Sequence, residues 1–232
     1  MAILDNIKAA WSLDESSGDA SDASGNGFTL TNNGTVTYTT GKINNGALFD
    51  NTTGKNLDYN GNLGFAGGGS RTWMVWVNVS SFAATGYILD NTTTTAGSGS
   101  ANRRFILYSE SDSKIHMFAS GNEVLTSALS TSTWYHLVVT QSGTTWELFL
   151  NASSQGTTSI GTASYADDSF RVGESYAGGG AGRSTNDIVT IWDRVLSGAE
   201  ITDLYNSGSG RQYPFSSSSS FTPRVSLLGV GR

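Results

Sequence analysis

The chain has 232 residues, of which 37% are hydrophobic and 11% aromatic, and its formal net charge is −6. A chain of this length can bury a core without cross-links, and the lack of cysteine excludes both a disulfide scaffold and a cysteine-ligated zinc site. The negative charge offers no cationic surface for nucleic acid or anionic lipid, and no apolar run is long enough to span a bilayer.

The composition favours an all-β domain with many tight loops. Glycine occurs 29 times and proline only twice, and Ser, Thr and Asn are frequent. The first eight residues, MAILDNIK, have no basic segment ahead of an apolar run, so we expect no secretory signal peptide. Residues 9–13 form the first predicted strand, and residues 22–27 form a tight loop in which Gly25 and Gly27 permit positive φ.

The clearest single strand is predicted over residues 72–79. Its side chains alternate between two faces, and both faces are apolar, which indicates a strand covered on both sides. Residues 48 and 49 are predicted core positions. Residues 87–89, 104–108, 114–119 and 124–125 then predict an antiparallel meander.

A β-hairpin is predicted over residues 132–151. Two runs rich in aromatic and β-branched residues flank a short polar turn that contains Gly143. Both arms are too apolar for a strand with one wet face, so we expect the hairpin to lie centrally in a large sheet. His136 is predicted to be a core residue.

The last elements are a strand over residues 169–173, a long loop over 174–185, a strand over 187–192 and one short helix. Ser197 and Glu200 have the spacing of a capping box. Ile201, Leu204 and Tyr205 would form one apolar helical face, and Gly208 is predicted to end the helix.

Four of these segments resemble laminin-G-like domains of the concanavalin A-like type. They are the Trp-x-Leu-Asp-Glu-Ser-x-Gly opening at residues 11–18, the Gly-x-x-x-x-Gly-Ala-Leu run at 41–48, the Trp-aromatic-His hairpin at 134–136, and a closing segment at 187–201 that ends in Arg-Val-Leu-Ser-x-x-Glu-Ile. The resemblance implies a two-sheet antiparallel jelly-roll sandwich over residues 1–208. This sequence departs from the usual pattern at Asn51, Asn186 and Ile188.

The final residues, 209–232, depart from that family and are predicted to form an extended docking tail. Five serines at 216–220 are typical of a flexible linker. Val225, Leu227, Leu228 and Val230 could add a strand to a neighbouring subunit. We therefore expect a homo-oligomer or a larger assembly.

The resemblance also implies a possible structural calcium ion where the chain ends meet. Asp187 matches the acidic residue of the last strand, and Asp22 with Asn26 matches the loop, so oxygen ligands of the kind that calcium prefers are available. The alternative is that these side chains cap main-chain amides of their own loops.

Catalysis is not expected. Relatives that cleave β-glucans use alternating acids on one strand, and the nearest sequence here is residues 110–114, where Lys114 takes the place of the third acid. Neither His116 nor His136 has a neighbouring acid that predicts a catalytic base, and the glycine-rich segment 178–184 lacks the ending of a phosphate-binding loop.

The first functional hypothesis is a recognition module on a virus particle, such as a phage capsid decoration, fibre or tail component. It would bind cell-surface glycan through long loops, with Tyr176 as the aromatic platform and Arg183, Arg103 and Asn102 as hydrogen-bonding groups. The second hypothesis is a purely structural cement protein of the virion. The third is an extracellular or cell-surface bacterial adhesin or a glucanase-like protein.

Overall fold

The computed structural model describes residues 2–64, 69–92, 103–119, 121–159, 169–176 and 180–215. In these ranges the regular secondary structure is almost entirely β. The strands are β1 (Ile7–Trp11), β2 (Thr31–Asn33), β3 (Thr37–Thr40), β4 (Asn45–Asp50), β5 (Asn56–Tyr59), β6 (Ser70–Val79), β7 (Gly86–Thr92), β8 (Arg103–Ser109), β9 (Ile115–Ala119), β10 (Asn122–Leu125), β11 (Trp134–Ser142), β12 (Thr145–Leu150), β13 (Ser153–Ser159), β14 (Ser169–Val172) and β15 (Arg183–Trp192). A helix, α1 (Gly198–Tyr205), follows, and a 3₁₀ turn spans Asn206–Gly208.

The strands form two antiparallel sheets. The first sheet runs β13-β12-β11-β6-β15-β4-β3, with β1 paired to β15 beside β4. The second sheet runs β10-β9-β8-β7-β14-β5-β2. The predicted all-β, two-sheet antiparallel sandwich is therefore confirmed. No helix in the described ranges is long and apolar enough to cross a membrane.

The main core lies between the sheets and follows the predicted alternation of β6. Trp73, Val75, Val77 and Val79 all face it and are at most 1% exposed. Two stacked aromatic pairs tie the core together: Trp73 lies 5.5 Å from Trp146 within the first sheet, and a second pair crosses between the sheets. That second pair is Trp11 and Phe170, with ring centroids 5.3 Å apart.

A second apolar cluster covers the outer face of the first sheet. Met74 and Trp76 of β6 and Val138 of β11 pack there against Ile201 and Leu204 of α1. The hairpin is therefore covered on both faces along part of its length, as predicted. Its turn is Gly143-Thr144, with Gly143 at φ 59°.

The predicted capping box at the start of α1 is present. The Ser197 main-chain N–H donates to Glu200 Oε2 at 2.8 Å, and Ser197 Oγ accepts from the Glu200 N–H at 3.3 Å. The helix ends earlier than predicted, because Asn206 adopts the left-handed conformation at φ 48°. Gly208 instead closes the 3₁₀ turn that follows.

Two further expectations need refinement. Phe49 is buried in the core as predicted, but Leu48 is only half-buried, because alternate residues of β4 face opposite sides of the sheet. Residues 209–215, the start of the predicted tail, pack on the sandwich: Phe215 is 4% exposed and stacks 5.9 Å from Trp192. The serine run and the apolar residues 225–230 lie outside the described residues.

Candidate functional site

Asp22, predicted as a calcium ligand, caps main-chain amides. Its Oδ1 accepts from the N–H groups of Ala10 and Ser24 at 3.0 and 2.9 Å, and its Oδ2 accepts from Phe28 at 3.0 Å. Asn26 donates from Nδ2 to the carbonyl oxygens of Ile7 and Lys8 at 3.2 and 3.0 Å. These bonds hold the 22–27 loop against β1.

Asp187 caps a different loop. It lies at an irregularity of β15, where Ile188 has φ 50°, and its carboxylate accepts from the N–H groups of Lys42, Ile43 and Ile188 at 2.7, 2.9 and 2.7 Å. Burial raises the pKa of Asp187 to about 7, and the three amide hydrogen bonds act in the opposite direction. A side chain at Gly41 would place its Cβ 2.7 Å from Asp187 Oδ2, so glycine is required at this close approach.

Neither acid presents the donor set that a calcium ion needs. Both carboxylates face N–H groups, and in the described part of the chain no three His, Asp or Glu side chains are grouped to hold a metal ion. The arrangement fits loop capping better than metal ligation. Calcium bound by Asp22, Asn26 and Asp187 remains an untested prediction.

Tyr176, the predicted aromatic platform, lies on the outer face of the second sheet inside a charged cluster. Its ring lies 3.9 Å from the Arg171 guanidinium, its OH donates to Asp58, and its N–H donates to Asp90 at 3.0 Å. Arg171 also pairs with Asp58 at 3.2 Å. Burial raises the pKa of Tyr176, so the hydroxyl keeps its proton and remains a donor. The contacts therefore tie Tyr176 to the sheet.

The other predicted ligand residues are dispersed. Arg183 begins β15 rather than lying in a loop, and its side chain lines a pocket that does not include Tyr176. Arg103 begins β8, and its side chain lies outside the described residues, as does the whole of Asn102. The structure does not bring Tyr176 and Arg183 to one pocket among the residues it describes.

A different surface has the chemistry expected of a sugar site. Tyr87 of β7, Tyr108 of β8 and His116 of β9 are cross-strand neighbours on the outer face of the second sheet. The two tyrosine rings lie 6.0 Å apart, and His116 stacks 5.0 Å from Tyr108. An open pocket of about 260 Å³, here called the aromatic pocket, lies beside them. Its lining residues are Thr85, Tyr87, Ile106, Tyr108, Glu110 and Phe118.

Hydrogen bonds hold the polar groups of the aromatic pocket in place. Thr85 Oγ1 donates to Glu110 Oε2 at 2.7 Å. The Tyr108 OH donates to Glu123 Oε1 at 2.5 Å, and the same oxygen lies 2.9 Å from His116 Nδ1. Burial raises the pKa of Tyr108, so its hydroxyl keeps its proton. The tyrosine ring is thus fixed at its tip and supported on one face before any ligand arrives.

Sequence reasoning missed Tyr87, Tyr108 and Phe118 as site residues. A signal was present, because aromatic residues occupy outward positions of three consecutive strands of the meander. Which outward positions stand side by side depends on strand register, which alternation alone does not give. Glu110 lies at the start of the turn between β8 and β9.

Comparison with known families identifies the domain. Residues 50–202 match the model of the concanavalin A-like lectin/glucanase superfamily. The chain belongs to this superfamily. The laminin-G-like resemblance of the sequence is thereby confirmed, and the superfamily name covers both sugar-binding and sugar-cleaving proteins.

Solved structures share the fold of this superfamily member at low sequence identity. The binding domain of Paraclostridial Mosquitocidal Protein 1 has a TM-score of 0.68 and 16% identity over 89% of this chain and 53% of that chain. Domain 4 of the extracellular arabinanase AbnA from Geobacillus stearothermophilus, solved in complex with arabinotriose, has a TM-score of 0.63 and 17% identity. The match covers 85% of this chain and 97% of the AbnA domain. Trypanosoma rangeli sialidase has a TM-score of 0.66 and 15% identity, over 87% of this chain and 33% of the sialidase chain.

The chain thus spans about half of the mosquitocidal binding domain and a third of the sialidase. At these identities the likeness shows the fold alone. No curated protein sequence matches the chain.

Proposed function

We propose that this domain is a non-catalytic carbohydrate-recognition module and that the aromatic pocket is its sugar-binding surface. The observation that supports the proposal is that half-buried aromatic rings and one carboxylate line the same pocket. Small-molecule sites are mostly apolar and aromatic, with a few polar groups that fix the ligand's orientation. Tyr87, Tyr108 and Phe118 supply the apolar surface for a sugar ring.

Glu110 supplies the polar anchor. Thr85 and the Ser111 N–H orient its carboxylate from the protein side, at 2.7 and 3.3 Å, and a carboxylate has further lone pairs for sugar hydroxyls. Such hydrogen bonds to an ionised group are stronger than neutral ones. The aromatic pocket therefore offers both an apolar face and a fixed acceptor.

The same pocket supports binding rather than hydrolysis. Glycoside hydrolysis by the common mechanisms needs a pair of carboxyl groups across the scissile bond. Among the described residues that line the aromatic pocket, Glu110 is the single acid. The lectin character of the superfamily and the arabinotriose bound in the AbnA domain structure agree with a binding role.

A glycan array tests the proposal. We expect the wild-type domain to bind at least one glycan class, Tyr108→Ala to lose that binding, and Tyr38→Ala to keep it. Tyr38 is a matched control, because it is a half-buried tyrosine on β3 of the other sheet. Including Tyr176→Ala separates the aromatic pocket from the sequence-predicted platform. Absence of binding to every glycan would contradict the proposal and favour a purely structural role.

We further propose that this recognition serves a virus particle, with residues 216–232 joining the domain to other virion proteins. The support is compositional: a serine linker followed by an apolar segment is suited to docking on a partner. An extracellular or cell-surface domain is the alternative. Removing residues 216–232 should leave glycan binding unchanged and prevent incorporation into particles, and normal incorporation would contradict this second proposal.

A further inference from the structure

A second pocket adjoins the aromatic pocket and contains an arginine. This arginine pocket has a volume of about 350 Å³ and is lined by Asn51, Thr53, Thr85, Gly180, Ala181 and Arg183. Thr85 lines both pockets, so they meet at this residue. Gly180 closes the junction against Tyr87: a Cβ at Gly180 would lie 2.6 Å from a Tyr87 ring carbon.

Arg183 differs from the other arginines whose side chains the structure describes. Arg71, Arg171, Arg194 and Arg211 each form an ion pair with an acidic side chain. Arg183 has no such pair in the described ranges, and its Nε is buried without a hydrogen-bond partner there. The Arg171 Nε is buried in the same way, so Arg183 is distinguished by having no acidic partner among the described residues.

Two acids on the backbone segments beside Arg183 have other partners. Asp50 is its cross-strand partner in the register of β15 and β4, yet the Asp50 carboxylate binds Lys55 Nζ at 2.8 Å. Glu174 accepts from the Gly54 N–H at 2.9 Å and from Asn56 Nδ2 at 2.7 Å. Among the described residues no acid pairs with Arg183, and a guanidinium can bind an external carboxylate in a bidentate manner.

We propose that the two pockets together bind an acidic oligosaccharide, with a neutral sugar ring on Tyr87, Tyr108 and Phe118 and the carboxylate of a neighbouring uronic or sialic acid residue on Arg183. This inference rests on the proposed function and specifies its ligand class. The charges set the orientation of the oligosaccharide. Glu110 in the aromatic pocket repels a carboxylate and accepts hydrogen bonds from hydroxyl groups, whereas Arg183 in the arginine pocket attracts a carboxylate. The aromatic pocket of about 260 Å³ is small for a ligand by itself, and the arginine pocket of about 350 Å³ extends it into the usual range of about 300–1,000 Å³.

The test uses matched ligand pairs on the full chain. Oligogalacturonate, hyaluronan and sialylated oligosaccharides are immobilised, each beside its carboxyl-reduced neutral form. We expect at least tenfold tighter binding to one acidic glycan than to its reduced form, with a difference that shrinks as salt is raised. Arg183→Gln should bring the acidic form to the level of the reduced form, and Tyr108→Ala should weaken both. Arg211→Gln, with the same charge change at a different arginine, should leave the preference intact.

The outcomes separate this inference from the proposed function. Binding to reduced and acidic forms with equal affinity would overturn the role of Arg183 while leaving glycan recognition standing. An acid preference that survives in Arg183→Gln would also overturn it. Failure to bind any glycan, acidic or reduced, would overturn both proposals together.

Discussion

His136 should make the domain lose stability on mild acidification. The imidazole is fully buried beside the rings of Trp76 and Tyr205, at 5.1 and 5.9 Å, and neither ring nitrogen has a hydrogen-bond partner in the described part of the chain. Burial lowers the pKa of His136 from 6.5 to about 3. The unfolded chain therefore takes up a proton as the pH falls below 6.5, whereas the folded protein does not.

The sign and size of the effect follow from proton linkage. Because the unfolded state binds the extra proton, the His136 contribution to stability is present above pH 6.5 and is lost as the pH falls toward 3. At about 1.4 kcal/mol per pH unit, the loss between pH 7.5 and pH 5 is about 2 kcal/mol.

The perturbation is His136→Phe, which keeps an aromatic ring beside Trp76 and Tyr205 and removes the titrating group. Urea denaturation of both proteins at pH 7.5 and pH 5 gives the free energies of unfolding, and the other titrating groups cancel in the double difference. The variant should be at least as stable as wild type at pH 7.5. Between pH 7.5 and pH 5, its free energy of unfolding should fall by about 2 kcal/mol less than that of wild type. Equal losses in the two proteins, or a His136 imidazole NMR signal that titrates above pH 5 in the folded state, would refute this reasoning.

Two further predictions concern the C-terminal part of the fold. The Arg194 ion pair lowers the pKa of Glu200 to about 2, so its stabilisation is present above the ordinary carboxyl pKa and is lost as the pH falls from about 4.5 to 2. Glu200→Gln should therefore unfold more easily than wild type at pH 7, and the difference in their free energies of unfolding, measured by denaturation, should vanish near pH 2. A difference that stays constant with pH would argue against the ion pair. Removing residues 216–232 should leave the thermal midpoint nearly unchanged. Removing residues 209–232 also deletes the buried Phe215, so it should lower the free energy of unfolding by about 3–5 kcal/mol and lower the midpoint. Equal midpoints for the two truncations would show that Phe215 contributes nothing.

Much of the fold follows from local patterns in the sequence. The alternation of β6 predicts which of its side chains face each side, and the Ser197–Glu200 spacing predicts the start of α1. These features depend on residues close together in the chain. The helical segment extends to Gly208, but its division into α1 and a 3₁₀ turn was not predicted, because Asn206 adopts a left-handed conformation that glycine more commonly occupies.

The candidate site was much harder to predict, since it depends on pairing between strands. Tyr87, Tyr108 and His116 become neighbours only when β7, β8 and β9 are set in register. Arg183 was predicted to lie in a loop, whereas it begins β15. That Arg183 has no ion pair among the described residues becomes clear only once the partners of Asp50 and Glu174 are known.

Trp192 brings the two ends of the described chain to one place. Its Nε1 donates to the Ile3 carbonyl at 2.8 Å, and Phe215 stacks on its ring. Arg194 reinforces the same point by donating to the Ala2 carbonyl at 2.9 Å. A short linker could therefore join residue 215 back to residue 2, and new termini could be opened in a surface turn such as that at Gly143. The domain is accordingly a good candidate for circular permutation and for grafting as a module into a host protein.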